Sequence, residues 1–104
     1  MIKVSILYPN DAGCRFDFDY YRTSHMPMIK EKMADACSHF TIDKGLAGGV
    51  PGSAPAHVAM GHLFFASLDA FVSAFEPHAG VIATDIPNYT NVKPTVQISE
   101  VPVG

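Results

Sequence analysis

An α+β fold with the element order βαββαβ follows from three features of this 104-residue sequence. Apolar residues alternate along four segments, as strands require, and recur at helical spacing along two others. Clusters of proline, glycine and asparagine separate several of them. Their order defines the ferredoxin-like arrangement, a four-stranded antiparallel sheet with both helices on one face. A chain of this length fits one domain spanning residues 1–104.

Residues 3–8 form the first strand, with Val4, Ile6 and Tyr8 on one face and Ser5 and Leu7 on the other. The run Pro9-Asn10-Asp11-Ala12-Gly13 turns the chain. Asp17 then caps a helix, because its carboxylate accepts from backbone N–H groups that lack partners in the first turn. Phe16 and Tyr21 match a hydrophobic staple across that cap, and Asp19 suits the positive end of the helix dipole. Pro27 donates no hydrogen bond and disfavours helical geometry just before it, so a kink or break is expected at His25-Met26. A second helical piece carries Met28, Ile29 and Met33.

Residues 38–45 form the second strand, and residues 48–55, the part richest in glycine and proline, a loop. Residues 57–65 form the third strand, which is largely apolar on both faces and so needs cover on both. Ser67 caps the second helix; Leu68, Phe71, Val72 and Phe75 follow helical spacing, and Pro77 ends it. Residues 80–94 read as irregular, with a short helical turn at Val81-Ile82, before the last strand at 95–101. Two helices cover one sheet face only. A homodimer packed sheet to sheet, closing an α+β barrel, would cover the other.

Composition narrows the partners. Hydrophobic residues make up 48% of the chain, the formal charge is −3, and the seven basic residues form no run. Nucleic acids and anionic membranes need clustered positive charge, so neither is an expected partner. No apolar stretch approaches the roughly 20 residues that span a bilayer. No signal-peptide pattern opens the chain, so a cytoplasmic location is expected. There Cys14 and Cys37 are expected to stay reduced, Cys37 as a small core residue.

The opening MIKVSILYPN, the motif F-D-x-D-Y-Y-x-x-x-H-M-P over residues 16–27, the stretch G-H-L-F-F-A-S-L-D-A-F over 61–71 and D-I-P-N-Y-T-N-x-K-P over 85–94 together resemble the EthD-like family of dimeric α+β barrel proteins. The resemblance covers nearly the whole chain. It implies the barrel dimer and a setting in degradation or pigment-type secondary metabolism. The wider superfamily includes cofactor-free oxygenases and polyketide cyclases. Its haem-degrading members use a tryptophan that this chain lacks. Ala66 stands before Ser67 where many members carry an acidic residue.

His25 is the leading catalytic candidate, with Tyr21 one helical turn before it on the same face. Imidazole titrates near neutral pH and can take and return a proton there. Tyr21 or Tyr20 would orient it or donate to a substrate oxygen. The alternative is that His25 only bonds a carbonyl freed by Pro27 and packs the kink; the resemblance favours the site role. Tyr8, Tyr20, Ser5, Met28, His62, Asp85 and Tyr89 are the candidate ligand-binding residues. Asp85, Asn88 and Tyr89 either cap a turn or line the mouth of a cleft. Ser5 and Gln97, polar in apolar strands, face the ligand or pair with each other. His57 and His62 fall on opposite faces of one strand, and His39 and His78 have no partner at ligand spacing, so no metal is expected. No phosphate loop or dinucleotide fingerprint occurs, and no cofactor is expected.

Three functions fit these residues. The first is a cofactor-independent enzyme that binds a small hydrophobic aromatic, pyrrolic or ketide-like compound and uses His25 as general acid and base in a cyclisation, condensation or lyase step. The second is a carrier that shields a pathway intermediate in the same pocket. The third is an accessory subunit of an oxygenase system with no working pocket.

Overall fold

The structure, a computed structural model, describes residues 1–104. Four antiparallel strands, β1 (Ile2–Pro9), β2 (Cys37–Lys44), β3 (His57–Phe65) and β4 (Thr95–Glu100), form one sheet in the order β2-β3-β1-β4. This is the ferredoxin-like arrangement that the element order predicts. The central pair is long and regular: Val4 faces Leu63, Ile6 faces Gly61 and Tyr8 faces Ala59. Alternation then puts Val4, Ile6, Tyr8, Leu63 and Val96 on the face that meets the helices. Ser5, Leu7, Met60, His62 and Phe64 point the other way. No helix is long and apolar enough to cross a membrane.

The first helical segment departs from expectation at Pro27. It starts as α1 (Phe18–Tyr20), where the Asp17 carboxylate accepts from the Tyr20 N–H at 3.1 Å as a cap. The Phe16 and Tyr21 rings meet at 4.9 Å, so the staple forms. The chain then widens into a π-turn, Tyr21–His25, and continues without a break as α2 (Met26–Met33). In the π-turn the Met26 N–H donates to the Tyr21 carbonyl, five residues back rather than four. Pro27 therefore falls in the first turn of a fresh α-helix, where its missing N–H costs little.

The second helical segment is longer than expected. The Ser67 hydroxyl caps α3 (Leu68–Phe75) by accepting from the Ala70 N–H at 3.1 Å. Pro77 ends α3 but not the helical path. It sits in a 3₁₀ turn, Glu76–His78, that leads into α4 (Ala79–Asp85) and a last 3₁₀ turn, Ile86–Asn88. The stretch expected to be irregular is thus half helical. Its only fully packed residue within α4 is Ile82, so its periodicity is too faint to read.

Core packing between the π-turn and the sheet leaves one tight point. A Cβ on Gly61 would collide with the Tyr21 hydroxyl and lie 3.1 Å from Tyr21 Cζ and 3.2 Å from Met26 Cε. Tyr21 and Met26 are fully buried, so relieving the clash means shifting core side chains. Gly61→Ala is expected to lower stability by about 1–3 kcal/mol, the usual cost of overpacking. Urea unfolding should show the earlier midpoint, and Gly61→Ala with Tyr21→Phe should recover part of it. Equal midpoints for wild type and Gly61→Ala would refute the contact.

Candidate functional site

A cavity of about 220 Å³ lies between the helical segments and the inner sheet face. Its floor is β1 and β3, its walls α2, α3 and α4, and Val96 of β4, which is 59% exposed, also lines it. Fourteen of its sixteen lining residues are hydrophobic. The lining residues that carry polar atoms are His25, Tyr8 and Tyr21; the Tyr21 hydroxyl itself is buried against Gly61.

His25 is 2% exposed, and both ring nitrogens have partners. Nδ1 lies 2.8 Å from Asp85 Oδ2, and Nε2 lies 3.2 Å from the Tyr89 hydroxyl. A carboxylate can only accept, so Nδ1 carries the proton. In the neutral ring Nε2 then accepts, and Tyr89 donates to it. The Tyr89 oxygen in turn lies 2.7 Å from the Tyr8 hydroxyl, which donates to it. A directed chain therefore runs from Tyr8 through Tyr89 and His25 to Asp85. Asp85 Oδ1 accepts from the Tyr20 hydroxyl at 2.7 Å and from Asn88 Nδ2 at 2.9 Å.

Electrostatics follow from this burial. Desolvation pushes the His25 pKa below its ordinary value and outweighs the pull of Asp85 in the other direction. Burial acts to raise Asp85, but hydrogen bonds from His25, Tyr20 and Asn88 together hold it below the usual carboxylate value. Burial raises Tyr8, Tyr21 and Tyr89, so all three keep their protons near neutral pH. The Tyr20 pKa is raised chiefly by its hydrogen bond to Asp85. At rest this hydrogen-bonded chain is two neutral phenols, a neutral imidazole and one carboxylate.

The model for the EthD domain matches residues 15–93. This chain belongs to the EthD family. An EthD-like protein from Ralstonia eutropha is 46% identical and superposes with a TM-score of 0.93, covering 98% of this chain and 92% of its own. An EthD family protein from Bacillus halodurans is 18% identical with a TM-score of 0.70, over 96% of this chain and 97% of its own. A DABB family protein with a ferredoxin-like fold from Mesorhizobium loti is 12% identical with a TM-score of 0.59, over 99% and 97%. No curated protein matches.

The structure of this EthD chain sorts the residues singled out in the sequence into three places. Tyr8, Tyr21 and His25 line the cavity, with Asp85 and Tyr89 behind His25. Tyr20 and Met28 lie instead in an open groove on the outer side of α2 and α4, a groove that also reaches Asp85. Ser5 and His62 are on the far face of the sheet, away from the cavity. Ser5 Oγ lies 2.9 Å from His62 Nδ1, and His62 Nε2 donates to Asp43 Oδ2 at 3.0 Å. Gln97 pairs in register with Ser5, but its side chain bonds Ser99 instead. Sequence reasoning missed Asp43, whose place opposite Met60 and diagonal to His62 depends on strand register. It also missed the apolar lining from Met26, Ile29, Phe71 and Phe75. The spacing of Phe71 and Phe75, four residues apart on one helix face, was the available signal.

Both shifted groups of the His25–Asp85 pair have folded pKa values below their ordinary ones. Each therefore binds protons more readily unfolded, and stability falls as pH falls. Acidification from pH 7 should destabilise the protein in two stages. The first begins near the ordinary His value of 6.5 and the second near the ordinary Asp value of 3.8. His25→Gln should remove the first stage alone. Urea midpoints across pH, with the His25 ring shift followed by NMR, check this; a His25 midpoint above 6.5 would reverse the sign.

Proposed function

We propose that this chain is a cofactor-independent small-molecule enzyme of the EthD type, in which His25 acts as general acid and base on a hydrophobic compound held in the cavity. The observation that carries the reading is a buried, neutral imidazole bonded through Nδ1 to a carboxylate at 2.8 Å on the wall of an apolar cavity. A neutral imidazole with Nδ1–H fixed on a carboxylate is poised as a base at Nε2, and the carboxylate stabilises the imidazolium that forms. Tyr89 carries the Nε2 position forward to Tyr8, which lines the cavity. A proton leaving the ligand reaches the Tyr8 oxygen as Tyr8 passes its own to Tyr89 and Tyr89 passes its own to His25. The reverse sequence returns it. Tyr21, beside His25 with ring centroids 5.6 Å apart, completes the wall. Aromatic, pyrrolic or ketide-like compounds from degradation or secondary metabolism suit such a lining, and cyclisation, condensation or lyase steps need only proton movement of this kind.

A carrier would need the same cavity but no directed chain of hydrogen bonds, which is why the enzymatic reading is preferred. The test begins with mass spectrometry of compounds that copurify. On the compound so identified, His25→Gln should lower turnover by about 10²–10⁴-fold, the usual share of general acid–base catalysis, with binding retained. Full activity in a folded His25→Gln protein would refute the role. Binding without turnover in wild type would make the chain a carrier.

We also propose that a second copy of the chain covers the outer sheet face. Leu7, Val58, Met60 and Phe64 are only half-buried there, on the two central strands, around the Ser5–His62–Asp43 cluster. Sedimentation at micromolar concentration should give a dimer, and Met60→Glu should give a monomer. A wild-type monomer under those conditions would rule the pairing out.

A further inference from the structure

We infer that Tyr20 and Asn88 are positioning residues: from the outer groove they fix the carboxylate of Asp85, which sets the tautomer of His25 and with it the direction of the whole hydrogen-bond chain. The tautomer stands on the geometry alone; its consequence for turnover rests on the enzymatic reading of the site.

Neither residue lines the cavity; both border the outer groove, as Asp85 does. Tyr20 ends α1, immediately before the π-turn. Asp85 ends α4, and Asn88 ends the 3₁₀ turn that follows it. Their polar groups converge on one oxygen. Asp85 Oδ1 accepts from the Tyr20 hydroxyl at 2.7 Å and from Asn88 Nδ2 at 2.9 Å, and that Nδ2 lies 3.4 Å from the Tyr20 oxygen. The other oxygen, Oδ2, faces His25 Nδ1 at 2.8 Å. The last torsion of an aspartate is broad, so by itself it holds neither oxygen in a fixed direction. Two donors on Oδ1 remove that freedom and keep Oδ2 on the ring.

A neutral imidazole carries one N–H, and its place decides which way every bond beyond it points. With the proton on Nδ1, Nε2 accepts from Tyr89, and Tyr89 accepts from Tyr8. With the proton on Nε2, the ring donates to Tyr89, Tyr89 donates to Tyr8, and no base is left at Nε2. A carboxylate oxygen only accepts, so it allows the first arrangement and opposes the second. An amide in its place reverses the choice. In Asp85→Asn the donors of Tyr20 and Asn88 require the amide oxygen at the Oδ1 position. The amide NH₂ then takes the Oδ2 position and donates to Nδ1, which fixes the Nε2–H tautomer and turns the chain around. The two groove residues control this outcome, because without them the amide is free to turn its oxygen to the ring.

The experiment reads the ring-nitrogen chemical shifts of His25 by NMR above pH 7, where the ring is neutral. Among the five histidines its signals are those lost in His25→Gln. Wild type should show Nδ1–H and Asp85→Asn should show Nε2–H. Adding Tyr20→Phe and Asn88→Ala to Asp85→Asn should bring back a resolved Nδ1–H population. An Nε2–H ring in wild type overturns the inference without any variant, so the test holds even if Asp85→Asn does not fold. Nδ1–H retained in Asp85→Asn overturns the role of the carboxylate. Nε2–H unchanged in the combined variant overturns the role of Tyr20 and Asn88. On an identified substrate, Asp85→Asn should lower kcat by about 10²–10⁴-fold, with KM little changed because Asp85 does not line the cavity, and the two added substitutions should restore part of the loss. The expected tautomers in a protein that turns nothing over uphold the inference and sink only the enzymatic reading.

Discussion

A buried imidazole must find partners for two ring nitrogens, and the helical layer of this protein is arranged around that requirement. His25 sits in the first helical segment, whereas its partners Asp85 and Tyr89 lie 60 and 64 positions later. The chain between α3 and β4 therefore has to come back over the start of the first helix. It is stitched there by bonds of its own. The Asp17 N–H donates to the Tyr89 carbonyl at 2.8 Å, the Arg15 N–H to Asn91 at 2.8 Å, and the Thr90 hydroxyl to the Arg15 carbonyl at 2.6 Å. Stripping a buried polar group of its partner costs about 1–3 kcal/mol, so these bonds and the His25 pair reinforce one placement. The aromatic rings add to it: Tyr8, Phe16, Tyr21 and Tyr89 meet edge to face or tilted with centroids 4.9–6.0 Å apart.

The π-turn is the local device that makes this possible. An α-helix turns 100° per residue, so two neighbouring residues seldom both face the core. Here His25 and Met26 are both buried, along with Tyr21 and Ile29. The wider turn takes up one extra residue, brings the Tyr21 and His25 rings nearly parallel at 14°, and resets the hydrogen-bond ladder just before Pro27. One motif, Tyr-Tyr-x-x-x-His-Met-Pro, thus supplies a hydroxyl, an imidazole and an apolar wall from a single helical segment.

Local signals in the sequence were read correctly where local physics decides. The caps at Asp17 and Ser67 and the alternation along β1 and β3 depend on neighbours within four residues. They place Tyr8 opposite Ser5, and so the cavity opposite the Ser5–His62 pair. What escaped depends on distant contacts. Pro27 reads as a breaker because nothing local announces the π-turn that accommodates it. Helix α4 has no clear periodicity, since Ile82 is its only buried residue. Met28 is one position from Ile29, yet faces the outer groove while Ile29 faces the cavity. A helical phase error of one residue moves a side chain 100° and changes its site. The link between His25 and Asp85 is tertiary and had no signature beyond two polar residues far apart.

The environments on the two faces of the sheet explain why chemistry is assigned to one and association to the other. On the outer face His62 bonds an aspartate that is 58% exposed, beside a depression lined by Asp43, Met60, His57 and the glycine-rich loop rather than by apolar walls. On the inner face the carboxylate is only 19% exposed, the imidazole 3%, and the hydrogen bonds all point one way. Such a chain carries no net charge into the cavity. On the proposed reading, it cannot hold a ligand anion by charge, and any negative charge that develops on the ligand has to be met by a donated proton. A proton taken at one atom must then be returned to another, or leave through Asp85, which also borders the outer groove. On that reading, chemistry that shifts protons within one molecule, as a cyclisation or an elimination of water does, is what such a site would serve, and the neutrality of its lining is the physical reason.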